Sequence, residues 1–176
     1  MRSSEFPGQP CSVARSLEIV GEWWTLLVVR EAFFGTRRFS DFETRLGIAK
    51  NVLSDRLGKL VDAGVMARNA VVGRGNPRDY TLTPMGRDLF PAIVALMQWG
   101  DRWIYGGKRA PVRVLDREAR GEIARIEVAT PDGRPLRINE VVVVPGPGAD
   151  EAVRRRFGGA EVVAKAIGSA FSRSWT

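Results

Sequence analysis

The sequence predicts an α+β fold: four helices, a β-hairpin, one long helix, then a small β-rich extension with a helical tail. Two observations carry this. Apolar residues recur every three or four positions as far as Leu60 and again from Leu89 to Ile104, with glycines 21, 35, 47 and 64 closing the early segments. Between these blocks two short runs flank GRGNPR, residues 73 to 78, a breaker-rich hexapeptide of the kind that joins two strands.

Taken in order, CSVARSLEIV (Cys11 to Val20) places Val13, Ala14, Leu17 and Val20 at helical spacing. Trp24 to Phe34 is apolar nearly all round, which predicts a buried helix. Ser40 to Leu46 reads as a third helix, with Ser40 as N-cap and Glu43 completing a capping box. In AKNVLSDRLGKLVDAGV, residues 49 to 65, Leu53, Leu57 and Leu60 fall on one line, while Asn51, Asp55, Gly58, Lys59 and Asp62 lie roughly opposite. Gly64 suits a left-handed C-cap for that helix. Ala67 to Val72 and Asp79 to Leu82 read as the hairpin strands. Thr83 and Pro84 open the long helix as N-cap and first helical residue. That helix has two apolar faces: Leu89, Ile93, Leu96, Met97 and Ile104 on one, widened by Phe90, Val94, Trp99 and Trp103. The second face predicts burial against a second copy, hence a homodimer.

Composition removes several chemistries. One cysteine and no histidine cannot build a Cys/His zinc site, a His-based triad or a Cys–His dyad, and no cofactor or metal site is predicted. No convergent set of acid, base and nucleophile is legible, so the chain reads as a non-enzyme. Its apolar runs are too short to span a bilayer and MRSSEFPGQP lacks a signal-peptide core, which predicts a soluble cytoplasmic protein and no membrane partner. The net charge of +7 is concentrated: residues 37 to 78 hold nine Lys/Arg against four Asp/Glu. A basic excess on one segment attracts polyanions, nucleic acid foremost; a solvated basic surface is the plain alternative. Helices followed by a basic-tipped hairpin give the order of a winged helix-turn-helix, in which the last helix before the hairpin enters the major groove and the wing lies along phosphates.

Three stretches, CSVARSLEIVGEWWTLLVVREAFFGTRRFSDF, LGIAKNVLSDRLGKLVDAGVMAR and RDYTLTPMGRDLFPAIVALMQWG, together resemble the HxlR-type winged-helix transcription regulators of bacteria and archaea. The resemblance covers residues 11 to about 106 and implies a homodimer on double-stranded operator DNA, often a repressor, and often with the first and long fifth helices forming the interface. It places Asn51, Val52, Ser54 and Asp55 on the exposed first turns of the recognition helix. There Asn51 suits adenine and Val52 a thymine methyl. Asp55 could accept from a cytosine amine, although an i,i+4 pair with Lys59 is the favoured role. Arg37, Arg38, Lys50, Arg56, Lys59, Arg74 and Arg78 are the expected phosphate contacts, with Arg56 near enough to the core side to be structural instead. Ala49 departs from the family's frequent serine N-cap.

Cys11 stands where the family often carries a cysteine, which makes it a candidate redox or electrophile sensor; a small buried hydrophobe is the alternative. A second class of function follows from these side chains, a small-molecule or redox sensor. Its effector would bind an apolar cavity near Trp23, Trp24, Trp99 and Trp103, whose ordinary role would be core and dimer packing. The expected organisation is an N-terminal arm (1–10), the winged-helix domain (11–107) and the extension (108–176). In the extension Ile123 to Ala129 alternates, Thr130-Pro131-Asp132-Gly133 is a turn, Val141 to Val144 reads as a more buried strand, and Glu151 to Phe157 as a helix followed by a second. Some relatives carry a Cys-rich, zinc-ribbon-like knuckle in this region, which a chain with no cysteine after Cys11 cannot form.

Overall fold

The computed structural model describes residues 11–70, 78–107 and 109–157. Two compact units divide the chain, Met1–Ile126 and Glu127–Thr176. The first contains α1 (Ser12–Val20), α2 (Trp23–Phe33), α3 (Phe39–Leu46), α4 (Lys50–Asp62), the hairpin β1 (Met66–Ala70) and β2 (Arg78–Leu82), then α5 (Pro84–Arg87) and α6 (Phe90–Trp103).

α2 is the hub. Val28 and Val29 are fully buried and α2 meets α3, α4, α6 and β2, which is why its sequence is apolar nearly all round. Around it Phe42, Ile48, Leu53, Leu57, Leu60, Val65, Met66 and Ile93 close one core. A buried carboxylate also sits there. Glu31 is held by Arg30 Nη2 at 2.8 Å and by the Thr36 hydroxyl at 3.3 Å, with Arg45 Nη1 at 3.9 Å. These partners satisfy a charge that would otherwise oppose burial, and they tie the α2–α3 link to α2.

The start of α3 differs from the expected capping box. Arg38, not Ser40, is the N-cap; Ser40 lies within the first turn and bonds Asp41 instead. The reason is a strand pairing that sequence did not reveal. Tyr80 N–H donates to Arg37 O at 2.8 Å and Arg38 bridges Asp79, so the chain stays extended through Arg38 before it can coil. α4 ends as expected at Gly64, whose φ is +75°. Gly64 N–H bonds Val61 O and Val65 N–H bonds Leu60 O, the paired bonds of a Schellman cap. β1 and β2 are antiparallel, with Met66 opposite Leu82 and Ala70 opposite Arg78, each strand starting one residue before the expected position.

The single long helix after Thr83 is two helices. Thr83 caps α5 as expected, its hydroxyl accepting from Gly86 N–H at 3.2 Å. Pro91 then forbids continuation: it has no N–H for the carbonyl of Arg87, and its ring would strike that carbonyl. The chain breaks at Asp88–Leu89, and Pro91 is accommodated in the first turn of α6, where that N–H is not needed. Beyond α6, the Gln98 amide clasps residues 124 to 126, donating to Ala124 O at 3.1 Å and accepting from Ile126 N–H at 2.8 Å.

In the second unit the Thr130–Gly133 turn forms, Gly133 taking φ +87° and donating to Thr130 O. The Thr130 side chain, then the local backbone, hydrogen-bonds the Asp132 carboxyl and holds it below the usual carboxylate range. α7 (Glu151–Phe157) also matches expectation. The strands do not. Among the described residues of the extension the pairings are the isolated bridges Leu115–Glu122 and Ala129–Pro135, and Val142, Val143 and Val144 are 55%, 52% and 68% exposed instead of buried. Alternation persuades a segment to extend, but an extended run with one bridge has no ladder to make it a strand. The expected helix after Gly159 lies outside the described residues.

Candidate nucleic-acid interface

α4 is fixed from beneath by Leu53, Leu57 and Leu60, all at most 1% exposed. Its other side carries Lys50, Asn51, Ser54, Asp55, Gly58, Lys59 and Asp62, all exposed. Ala49 leaves the helix without a side-chain cap. Among the described residues, an added Cβ at Gly58 would meet no atom within 4 Å.

Asn51 and Ser54 stand where the sequence places base readers, exposed on the first turns. Val52 is different: it is half-buried and packs against the core, which engages methyls assigned to a thymine. Asp55 takes the i,i+4 role, with Lys59 Nζ at 3.2 Å from its Oδ2. Arg56 departs most. Its side chain is 14% exposed, with Nη1 3.1 Å from Glu22 Oε1 and Nη2 3.5 Å from Asp55 Oδ2. It faces the α1–α2 corner, so of its two expected roles the structural one agrees with its position and phosphate contact does not.

Arg37, Arg38 and Arg78 are exposed and have no ion-pair partner among the described residues, whereas Lys50 lies 4.0 Å from Glu43. The three arginines leave one small sheet: Arg78 opens β2, and Arg37 and Arg38 are the residues that pair along it. Arg74 lies outside the described residues, as does the rest of the wing tip.

Cys11 is exposed rather than a buried hydrophobe, and its Sγ accepts from Ala14 N–H at 3.3 Å as the N-cap of α1. Among the described residues, the four tryptophans do not share one environment. Trp23, Trp99 and Trp103 are 90%, 58% and 55% exposed, and only Trp24 packs on the core. A groove of ≈ 630 Å³ lies elsewhere, between Arg30, Phe34 and Arg45 on one side and Leu96, Met97 and Tyr105 on the other.

The pattern described as HxlR-like helix-turn-helix matches residues 19–107, from within α1 to just past α6. The chain belongs to the HxlR-like helix-turn-helix family. This HxlR-like protein is a transcriptional regulator of winged-helix fold, and its similarity to known chains runs past the family domain. An uncharacterized HTH-type transcriptional regulator of Mycobacterium bovis is 44% identical over 147 residues, covering 83% of this chain and 91% of that protein. The regulator YvaP of Bacillus subtilis is 31% identical over 91 residues, or 51% of this chain and 84% of its own. Among solved structures, the candidate transcription factor PA1607 is 38% identical with TM-score 0.73, covering 79% of this chain and 97% of that one. A second, PA1374 from Pseudomonas aeruginosa, is 36% identical with TM-score 0.59, covering 84% and 100%. Because 147 aligned residues exceed the family span, part of the extension of this HxlR-like chain is shared with the Mycobacterium protein.

Sequence reasoning missed two groups here. Arg68 on β1 is an exposed cation without an ion-pair partner among the described residues, and a single arginine in a strand gives no pattern to read. Glu22 gives no signal along the chain, because its partner Arg56 is remote in sequence.

Proposed function

We propose that the protein is a sequence-specific DNA-binding repressor that acts as a homodimer on double-stranded operator DNA. The observation that carries this is the polar face of α4, standing over three buried leucines and beside arginines of the wing sheet that have no ion-pair partner among the described residues. Asn51 and Ser54 read base edges in the major groove, while Arg37, Arg38 and Arg78, with Lys50 and Lys59, grip phosphates.

The test separates the two roles. Asn51→Ala is expected to weaken binding to genomic fragments selected by the wild-type protein by about 1–3 kcal/mol and to relax preference at one or two base pairs. Arg78→Ala should weaken selected and random duplexes alike and lower the salt slope by about one unit. Equal loss on both duplexes for Asn51→Ala would refute the placement of α4 in the groove.

Dimerisation is supported by the apolar surface of α1 and α6. Val13 and Leu17 on α1, and Leu96, Trp99 and Trp103 on α6, are between 44% and 67% exposed. A two-fold pairing of these helices would set two copies of α4 on successive half-sites. Sedimentation at micromolar concentration should give about twice the chain mass of 19.4 kDa; a monomer would remove the interface.

A further inference from the structure

We infer that Arg56, with Glu22 as its counter-ion, is a positioning residue that sets the pose of α4 against the α1–α2 corner and thereby governs sequence discrimination without meeting DNA. The inference rests on the function proposed above. Glu22 is the N-cap residue of α2, with φ −74° and ψ 136°, yet its carboxylate makes no cap bond to its own helix. It reaches instead to α4, where Oε1 lies 3.1 Å from Arg56 Nη1.

The Arg56 guanidinium is shielded, and neither Nε nor Nη1 donates a hydrogen bond among the described residues. Nη1 is close to Glu22 but off the direction a hydrogen bond requires, so charge is what holds the pair. On the other side, Asp55 Oδ2 lies 3.5 Å from Arg56 Nη2 and 3.2 Å from Lys59 Nζ. The line Glu22–Arg56–Asp55–Lys59 therefore runs from the corner between α1 and α2 to the exposed face that carries Asn51 and Ser54.

The Glu22 side chain is 59% exposed and that of Arg56 14%, so loss of Glu22 leaves a shielded guanidinium with one fewer counter-charge, which must find water or move. For Arg56 that movement takes α4 with it, since Leu53 and Leu57 flank it on the same helix in the core. Base edges accept hydrogen bonds only in register, whereas phosphates tolerate displacement of a long side chain. A change of pose is therefore felt first as lost discrimination.

Glu22→Gln distinguishes this from simpler roles, because it removes a negative charge and should by itself favour any DNA. Binding of full-length protein would be measured on wild-type-selected genomic fragments and on a random duplex of equal length, with melting followed in parallel. The expected result is a roughly 2- to 30-fold loss on selected fragments, with random DNA bound equally or more tightly. Arg56→Gln should reproduce the loss of discrimination with an unchanged salt slope, and the double variant should be no worse than Arg56→Gln alone. Should Arg56→Gln fail to fold, Glu22→Gln and Arg56→Lys carry the comparison. A salt slope lower by about one for the Arg56 variant would make it a phosphate contact and overturn the inference. Equal losses on both DNAs tracking a lower melting temperature would make the pair merely structural, and also overturn it. If the wild type discriminates and the variants do so equally, the inference alone fails; if the wild type shows no preference, the proposed function fails first and takes the inference with it.

Discussion

Leu57→Ala is expected to lower the free energy of unfolding by about 2–5 kcal/mol, a large part of what a domain of this size possesses. Leu57 is 1% exposed at the centre of the core cluster, between Leu53 and Leu60 on the same line of α4. Truncation removes transfer energy and leaves a cavity that neighbours on α2 and α3 can fill only in part. Urea unfolding with an unchanged m-value is the measurement. A shift under about 1 kcal/mol would mean that the site collapses freely, and that α4 is not anchored from beneath as described.

Two glycines should respond with opposite signs to the same substitution. At Gly86 an added Cβ would run into the carbonyl oxygen of Val65 and come within 3.0 Å of Leu82 Cδ2. The Val65 oxygen is backbone and already takes the Thr83 N–H, so it cannot simply rotate away. Gly86→Ala is expected to destabilise by about 1–3 kcal/mol, the range for overfilling a packed site. Gly58→Ala, mid-helix in open space, should instead stabilise by about 0.5–1 kcal/mol. Thermal melts of both variants beside the wild type decide it. If Gly86→Ala melts with the wild type, the turn between β2 and α5 is looser than its contacts indicate.

What sequence conveyed well was whatever depends on neighbours along the chain. The leucine line of α4, the Gly64 cap, the Thr83–Pro84 start and the Thr130–Gly133 turn are local in cause, and each has the predicted residues in the predicted role. Failures arose where a distant partner or an overlooked breaker decided the outcome. Ser40 had every local qualification for an N-cap, but the pairing of Arg38 with Asp79 held the chain extended past the point where Ser40 could serve. Pro91 was visible and its consequence was local; the apolar stripe running through it obscured the break. At the candidate interface, Asn51 and Ser54 are exposed as the helical period requires. The period of α4 already sets Arg56 toward the core side, but its pairing with Glu22 is one that no periodicity encodes. Alternation in the extension described a preference for extended backbone, yet said nothing of whether a second strand would be in reach.

The pairing of Arg37 and Arg38 along β2 has a thermodynamic consequence for any polyanion the wing sheet meets. Because the backbone of Arg37 is bonded to Tyr80 and that of Arg38 bridges Asp79, next to Arg78, three cations without an ion-pair partner among the described residues are ordered relative to one another as the chain folds. On association only their side-chain rotamers remain to be fixed, about 0.5–1.5 kcal/mol for each, while the loss of backbone freedom has already occurred. Encounter then resembles the docking of a rigid comb of charges, with counterion release opposed by little ordering of the protein itself.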